Sequence, residues 1–286
     1  MAQPADWSWN RLDSILFPVM ISASHELATD YSQRAAAYSR FWAPVINPMA
    51  NPLLFAMPLA SARQILDVGT GTGALWPLIQ SAAPAAKLYG VDRAEGMLRE
   101  GSDLLRGSVS VMDAENLGVR PAVFDAALLL FVLFHVPDPL RALREIHRTL
   151  RTGGSVGLVV WGEDPGLPGK TLWAEELDRE GAAADPRDSS VMRQSWMDTP
   201  DKLADLLKSA GFVADQLWTQ RFVHDWTVEN LLETQTECGL PSRRLGSLSA
   251  ESRDACVNRV RSRMESLTAS ELEYRVEVIY AVAHRP

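Results

Sequence analysis

Short apolar runs alternate with amphipathic stretches between Arg63 and Trp161. The runs read as strands over 65–68, 87–92, 108–113, 124–131 and 155–161. The fourth and fifth are almost continuously apolar, as strands are when helices cover both faces of a sheet. Between them, 139–150 repeats its apolar positions at helical spacing, and Gly153-Gly154 is a helix-ending signal. Another helix opens at Ala74 to Ile79, directly after the first strand. This alternation predicts an α/β fold with a doubly wound, mostly parallel sheet and right-handed crossovers.

Two further β-like stretches, 211–223 and 274–283, make the sheet seven-stranded, with helical segments at about 228–238 and 251–267 between them. The N-terminal part is rich in Trp, Tyr, Phe and Met. Its 31–42 stretch is helical, and Pro44, Pro48 and Pro52 are expected to break the chain after it. It reads equally as an aromatic cap over a ligand site and as a helix packed on the sheet. The division expected is an N-terminal helical cap over 1–60 and a core over 61–286, with a lid inserted at about 225–270.

Composition narrows the classes. The chain has 286 residues and a formal net charge of −8. That length holds one large domain with additions, or two small ones. The charge argues against a general nucleic-acid binder, which needs a basic face. The two cysteines, Cys238 and Cys256, lack metal-ligand spacing and read as free thiols of a reducing compartment. Met1 to Asp6 has neither the basic start nor the apolar core of a signal peptide, and no apolar run is long enough to span a bilayer. A cytoplasmic protein is expected, and a homodimer stays open.

Candidate chemistry begins at Asp67-Val68-Gly69-Thr70-Gly71-Thr72-Gly73, where the first strand turns into a helix. Alternate glycines let the backbone turn sharply and approach a ligand with no Cβ in the way. Gly69-x-Gly71-x-x-Ala74 also satisfies the dinucleotide fingerprint. Asp67 tilts the balance, because a carboxylate at the strand end repels a phosphate and attracts a cationic amine. Asp92 ends the second strand, where an acid hydrogen-bonds ribose hydroxyls, although it also suits a cap for the helix after Ala94. Met97, one turn on, suits either a flat ring face or the core.

The glycine segment resembles the first motif of class I S-adenosylmethionine-dependent methyltransferases. Met112-Asp113-Ala114-Glu115-Asn116-Leu117 resembles the motif whose acid accepts from the adenine amine. Phe131 to Pro139, with its Leu133-Phe134-His135-Val136-Pro137-Asp138 string, resembles the fourth motif of the ubiquinone/menaquinone biosynthesis (type 11) branch. Leu150 and Arg151-Thr152-Gly153-Gly154 resemble the next one. The resemblance covers about 31–161, and beyond it only the general layout matches. It implies a Rossmann-like methyltransferase fold with S-adenosyl-L-methionine as cofactor. The cofactor contacts expected are Tyr38, Asp67, Gly69, Thr70, Gly71, Gly73, Asp92, Arg93, Met97, Asp113, Ala114, Leu130 and Phe131.

The acceptor expected is a small molecule. No lysine has the tyrosine four residues before it that a short-chain reductase needs. After the fourth strand there is no Asn/Asp-Pro-Pro-aromatic string of a nucleic-acid amino-methylating enzyme, no glutamate pair of an arginine methyltransferase and no acid cluster for magnesium. Metal-free transfer to an O, N or activated C atom is expected. His135 is the candidate base, or else a structural part of its motif. His25, His224, Tyr31 and Tyr38 lie on segments that could close over the site. Trp161, Trp173, Trp196, Trp218 and Trp226 suggest an apolar acceptor pocket, or ordinary core. An NAD(P)-dependent oxidoreductase and a catalytically silent cofactor-binding protein are the alternatives.

Overall fold

The computed structural model describes residues 23–105, 108–164 and 166–286. The first part of the expected cap, 1–22, lies outside the described residues. Among the described residues seven strands form one sheet: β1 (Gln64–Val68), β2 (Lys87–Asp92), β3 (Val109–Val111), β4 (Phe124–Leu130), β5 (Leu150–Trp161), β6 (Val213–Asp225) and β7 (Glu273–His284). Their order is β3-β2-β1-β4-β5-β7-β6. Only β7 runs antiparallel, against both β5 and β6. β1 lies between β2 and β4, so the chain leaves its C-terminal end in one direction and leaves β4 in the other. That divergence opens a crevice at the ends of the central strands, the usual ligand position in open α/β sheets.

The apolar runs are strands because both sheet faces are covered. Leu128 and Leu129 of β4 and Leu158, Val159 and Val160 of β5 are fully buried. The 139–150 periodicity becomes a helix over Pro139–Thr149, started by Asp138, whose side chain accepts from the Arg141 N–H. It ends before the glycine pair. Leu150 already pairs with Phe124, and the register then slips so that Ser155 faces Ala126. Gly153, at φ +77°, and Gly154 therefore form a bulge within β5 and not the helix cap expected of them.

The N-terminal segment corrects a second expectation. α1 covers Ala23–Gln33, and after a widened π turn at Tyr38–Trp42, α2 runs over Ala43–Ala56 straight through Pro48 and Pro52. The prolines do not break it. Pro44 sits in its first turn, where a missing N–H costs nothing. Pro48 and Pro52 follow at four-residue spacing on its outer side, so the carbonyls left without a donor lie on one face. The opposite face, Ile46, Met49, Ala50 and Leu53, is buried. Gly157 lets this helix lie against β5, for a Cβ there would stand 2.2 Å from the Met57 sulfur. Packing outweighs the lost hydrogen bonds.

After β5 come α3 (Pro168–Arg179) and α4 (Pro200–Ser209), and between β6 and β7 come α5 (Val228–Glu237), α6 (Gly239–Leu245) and α7 (Ala250–Met264). α3 is tied to α7 by Glu176, whose carboxylate takes Arg259 at 2.7 Å and Arg263 at 2.9 Å. Those hydrogen bonds, Arg259's first, hold its carboxyl below the usual range against the cost of burial. Trp218 stacks flat on Tyr280 across β6 and β7, 4.9 Å apart, and His224 packs on Trp226. These aromatics belong to the sheet and its edge, away from the crevice.

Candidate functional site

The turn after β1 is fastened by its backbone. Gly69 and Thr70 both donate to the Val91 carbonyl of β2, at 2.8 and 3.0 Å. Gly69, Gly71 and Gly73 all take positive φ, which only glycine adopts without strain. Gly69 and Gly71 line the crevice. Gly73 does not: a Cβ on it would sit 2.4 Å from Leu105, so its place is in the packing behind the turn. A Cβ on Gly71 would meet the Met97 methyl at 3.3 Å.

The three strand-end acids surround this turn in different states. Asp67 is buried, and its Oδ2 accepts from Thr70 Oγ1 at 2.6 Å and Trp76 Nε1 at 3.0 Å. Burial pushes its carboxyl up to about 6, with the Asp92 charge adding to the rise and the two hydrogen bonds opposing it. Its Oδ1 accepts nothing from the described residues. Asp92 accepts the Gly71 N–H on Oδ2 and the Ala94 N–H on Oδ1, each at 2.8 Å. Burial raises its pKa despite those bonds. Asp113 pairs with the Arg93 guanidinium and accepts the Glu115 N–H at 3.0 Å. Each oxygen still has a lone pair for a ligand hydroxyl or amine.

Tyr38, Gly69, Gly71, Asp92, Arg93, Met97, Asp113, Ala114, Leu130, Phe131 and His135 line one cleft. Asp67 and Thr70 line a smaller recess beside it, again with Tyr38, Gly71, Leu130 and Phe131. Thus every expected site residue except Gly73 borders one of these two adjoining spaces. Phe131 holds φ +59°, an uncommon conformation for its type, and its ring packs at a tilt of 38° against Trp161, centroids 4.4 Å apart.

Beyond Tyr31 and Tyr38 lies a second cleft of about 400 Å³. Both tyrosines line both spaces. Its walls come from α1, the π turn after it, α3, the 187 loop and the helices between β6 and β7, including Trp42, Trp173, Leu177, Cys238 and Leu240. Of the five tryptophans singled out in the sequence, Trp173 alone lines it. Trp161 packs against Phe131, and Trp196 is about half exposed. His25 and His224 line neither cleft. Cys238 and Cys256 are free and buried, and burial pushes the Cys238 thiol up to about 11.

At the common wall the Tyr31 hydroxyl meets His135 Nε2 at 3.1 Å. His135 is pushed down to about 4, chiefly by burial, with the positive charges of Arg187 and Arg243 adding to it. Its Nδ1 makes no hydrogen bond of normal geometry, the Val191 backbone giving only a looser contact. The imidazole is therefore neutral at physiological pH. Burial likewise raises the Tyr31 hydroxyl above its ordinary value. Sequence reasoning named both residues without pairing them. Arg187, Arg243, Asp30 and Leu177 it missed. Isolated residues in segments without motif spacing carry no local signal.

The family described as "Methyltransferase domain" matches residues 66–158. The malonyl-(acyl-carrier protein) O-methyltransferase of Geobacter sulfurreducens is 35% identical over 146 residues, 50% of this chain and 52% of that protein. The chain therefore spans about half the length of that relative. The aklanonic acid methyltransferase of Streptomyces sp. (strain C5) is 25% identical over 70% of this chain and 97% of its own length. The demethylmenaquinone methyltransferase of Roseiflexus castenholzii is 31% identical over 53% and 68%. A crystal structure of a Bacillus halodurans protein shares the fold at TM-score 0.53 and 20% identity, covering 82% of this chain and 97% of that one.

The chain belongs to the class I S-adenosylmethionine-dependent methyltransferases and resembles their type 11 branch. The oxidoreductase and silent-binder readings find no support among these relatives. No helix among the described residues is long and apolar enough to cross a membrane.

Proposed function

We propose that the chain methylates an O, N or activated C atom of a small, apolar, aromatic metabolite of quinone or polyketide type, without a metal. The observation carrying this reading is the Tyr31–His135 pair between the strand-end cleft and the second cleft, one part of whose wall is the apolar set Trp42, Trp173, Leu177 and Leu240. The similarity to an aklanonic acid methyltransferase and to a demethylmenaquinone methyltransferase supports the acceptor class.

The residues suit the cofactor. Gly71 presents bare backbone where a Cβ would crowd Met97, and Asp67 keeps one carboxylate oxygen uncommitted. In this reading Asp67 holds the methionyl amine, Asp92 the ribose hydroxyls and Asp113 with Ala114 the adenine edge. Tyr38, Gly69, Thr70, Arg93, Met97, Leu130 and Phe131 enclose it. When bound, the cofactor supplies a methyl already activated on a sulfonium, so the chain's own task is orientation and exclusion of water.

His135 can accept a proton because it is neutral, and Tyr31 fixes the direction of its Nε2. With its pKa pushed down to about 4 it is a weak base. Its service is to orient the acceptor and take up a proton as the new bond forms. The cap and the 225–270 insertion act as a joint cover. Asp30 of α1 binds Arg243 of α6 at 2.6 Å, and Arg34 donates to Ser242 at 2.9 Å. The enzyme works in the cytoplasm and does not act on nucleic acid.

The test is methyl-labelled S-adenosylmethionine offered with a panel of hydroxylated quinones, anthraquinones and flavonoids, with and without a chelator. Label transfer that survives chelation is expected. No transfer to any of them, or transfer restored only by magnesium, contradicts the proposal.

A further inference from the structure

The second cleft is cationic in a chain whose net charge is −8. Arg34, Lys170, Arg187, Arg243 and Arg244 line it, and Asp30 is the one carboxylate among its described lining residues. Most of these charges are matched from behind: Lys170 by Asp164, Arg187 by Asp185 and Arg244 by Asp178. Asp30 is shared by Arg34 and Arg243, which leaves one positive charge in excess among the described lining residues and their ion-pair partners.

Two of the guanidiniums are held as anion receptors are. Arg187 grips Asp185 through Nε and Nη2, at 2.7 Å for Nη2. Arg243 grips Asp30 through Nε at 2.8 Å and Nη2 at 2.6 Å. In both, Nη1 has no partner among the described residues. A guanidinium carries five N–H donors in a rigid fork, so each keeps donors to offer while an acid fixes its orientation, Asp185 outside the lining for Arg187 and Asp30 within it for Arg243. Arg243 is only 8% exposed in its side chain, so a charge there is poorly screened by water. Both charges are felt at Tyr31, which lines the same cleft. Trp42, Trp173, Leu177 and Leu240 give the cleft an apolar side, and Thr234 and Gln235 add neutral polar groups.

We propose that the acceptor is an aromatic acid: a fused or extended ring against Trp173 and Leu177, with a carboxylate held by Arg187 and Arg243. The carboxylate is an anchor. It presents the far edge of the ring to the Tyr31–His135 wall. This rests on the methyltransferase reading of the two clefts and adds the charge of the substrate, with Arg187 and Arg243 as specificity-determining residues. Two fixed guanidiniums favour a planar carboxylate, and an uncharged analogue would leave their donors unpaired in a partly dry cleft.

The test uses the full chain, with anthraquinone-2-carboxylate and its uncharged carboxamide as probes, titrated calorimetrically at low and high salt. The carboxylate is expected to bind about tenfold or more tighter than the amide, and Arg187→Met to erase most of that preference. Arg187→Lys should keep part of it, and added salt should narrow it. Arg243→Met is the second variant, with thermal melts to confirm that each protein is folded. Equal binding of the two probes, binding of neither, or a preference that survives in both Met variants overturns the proposal. S-adenosylhomocysteine is titrated into the same samples. If it fails to bind while the carboxylate preference stands, the methyltransferase reading falls and the anion site does not. If it binds while the preference is absent, only the anion site falls.

Discussion

Asp67→Asn removes a buried charge while keeping an oxygen for the hydrogen bonds from Thr70 and Trp76. In the folded protein burial lifts the carboxyl from 3.8 to about 6. The folded state thus holds this proton more tightly than the unfolded chain. Stability contributed by the group is complete below the unfolded value, falls as pH rises through the folded value, and is flat above it. The rise corresponds to about 3 kcal/mol withheld from folding at pH 7.5 and to about half of that at pH 5. Asparagine carries no such penalty.

The variant should therefore be more stable than the parent at pH 7.5, by up to about 3 kcal/mol, with a smaller gain at pH 5. It should also bind S-adenosylhomocysteine more weakly, by about 10- to 100-fold, because a charged hydrogen bond to the ligand amine is lost. Urea unfolding at the two pH values gives the first quantity and calorimetry the second. A variant equally destabilised at both pH values would refute the burial argument. Unchanged ligand affinity would refute the role given to the charge.

Gly71→Val should abolish S-adenosylhomocysteine binding and cost about 1–2 kcal/mol of stability, since φ +56° is strained for valine and the side chain would press on Met97; calorimetry and urea unfolding read both. His135→Ala should lower kcat by about 10²-fold with cofactor affinity intact, and Tyr31→Phe should lower it less; if affinity falls in step with kcat, His135 shapes the cofactor loop instead. The His135 imidazole should stay neutral by NMR until the pH nears 4, while cofactor affinity weakens already as pH drops below about 6, where Asp67 protonates. Glu176→Gln should loosen α7 from α3 and raise hydrogen exchange in the 250–264 segment, and the stability Glu176 gives should fade as pH falls below its ordinary value of 4.5.

The central strands were legible because β1, β4 and the end of β5 are nearly continuous apolar runs, which the covered faces of a parallel sheet require. The glycine turn and its three acids were legible from local spacing too. α2 was not, because proline statistics describe isolated helices, and the burial of Met49, Ala50 and Leu53 is decided by β5 and β7. The bulge at Gly153 and Gly154 depends on the β4 register. The Tyr31–His135 contact joins residues 104 positions apart. The arginines of the second cleft come from three separate segments. Nothing in local spacing announces groups that meet only after the sheet has formed.

The central claim, that the crevice beside Gly71 is a site for S-adenosylmethionine, is tested most directly by titrating the full chain with S-adenosylhomocysteine and, separately, with NAD in a calorimeter. Saturable one-to-one heat with S-adenosylhomocysteine and none with NAD is predicted. Binding of NAD alone, or heat from neither, would contradict it.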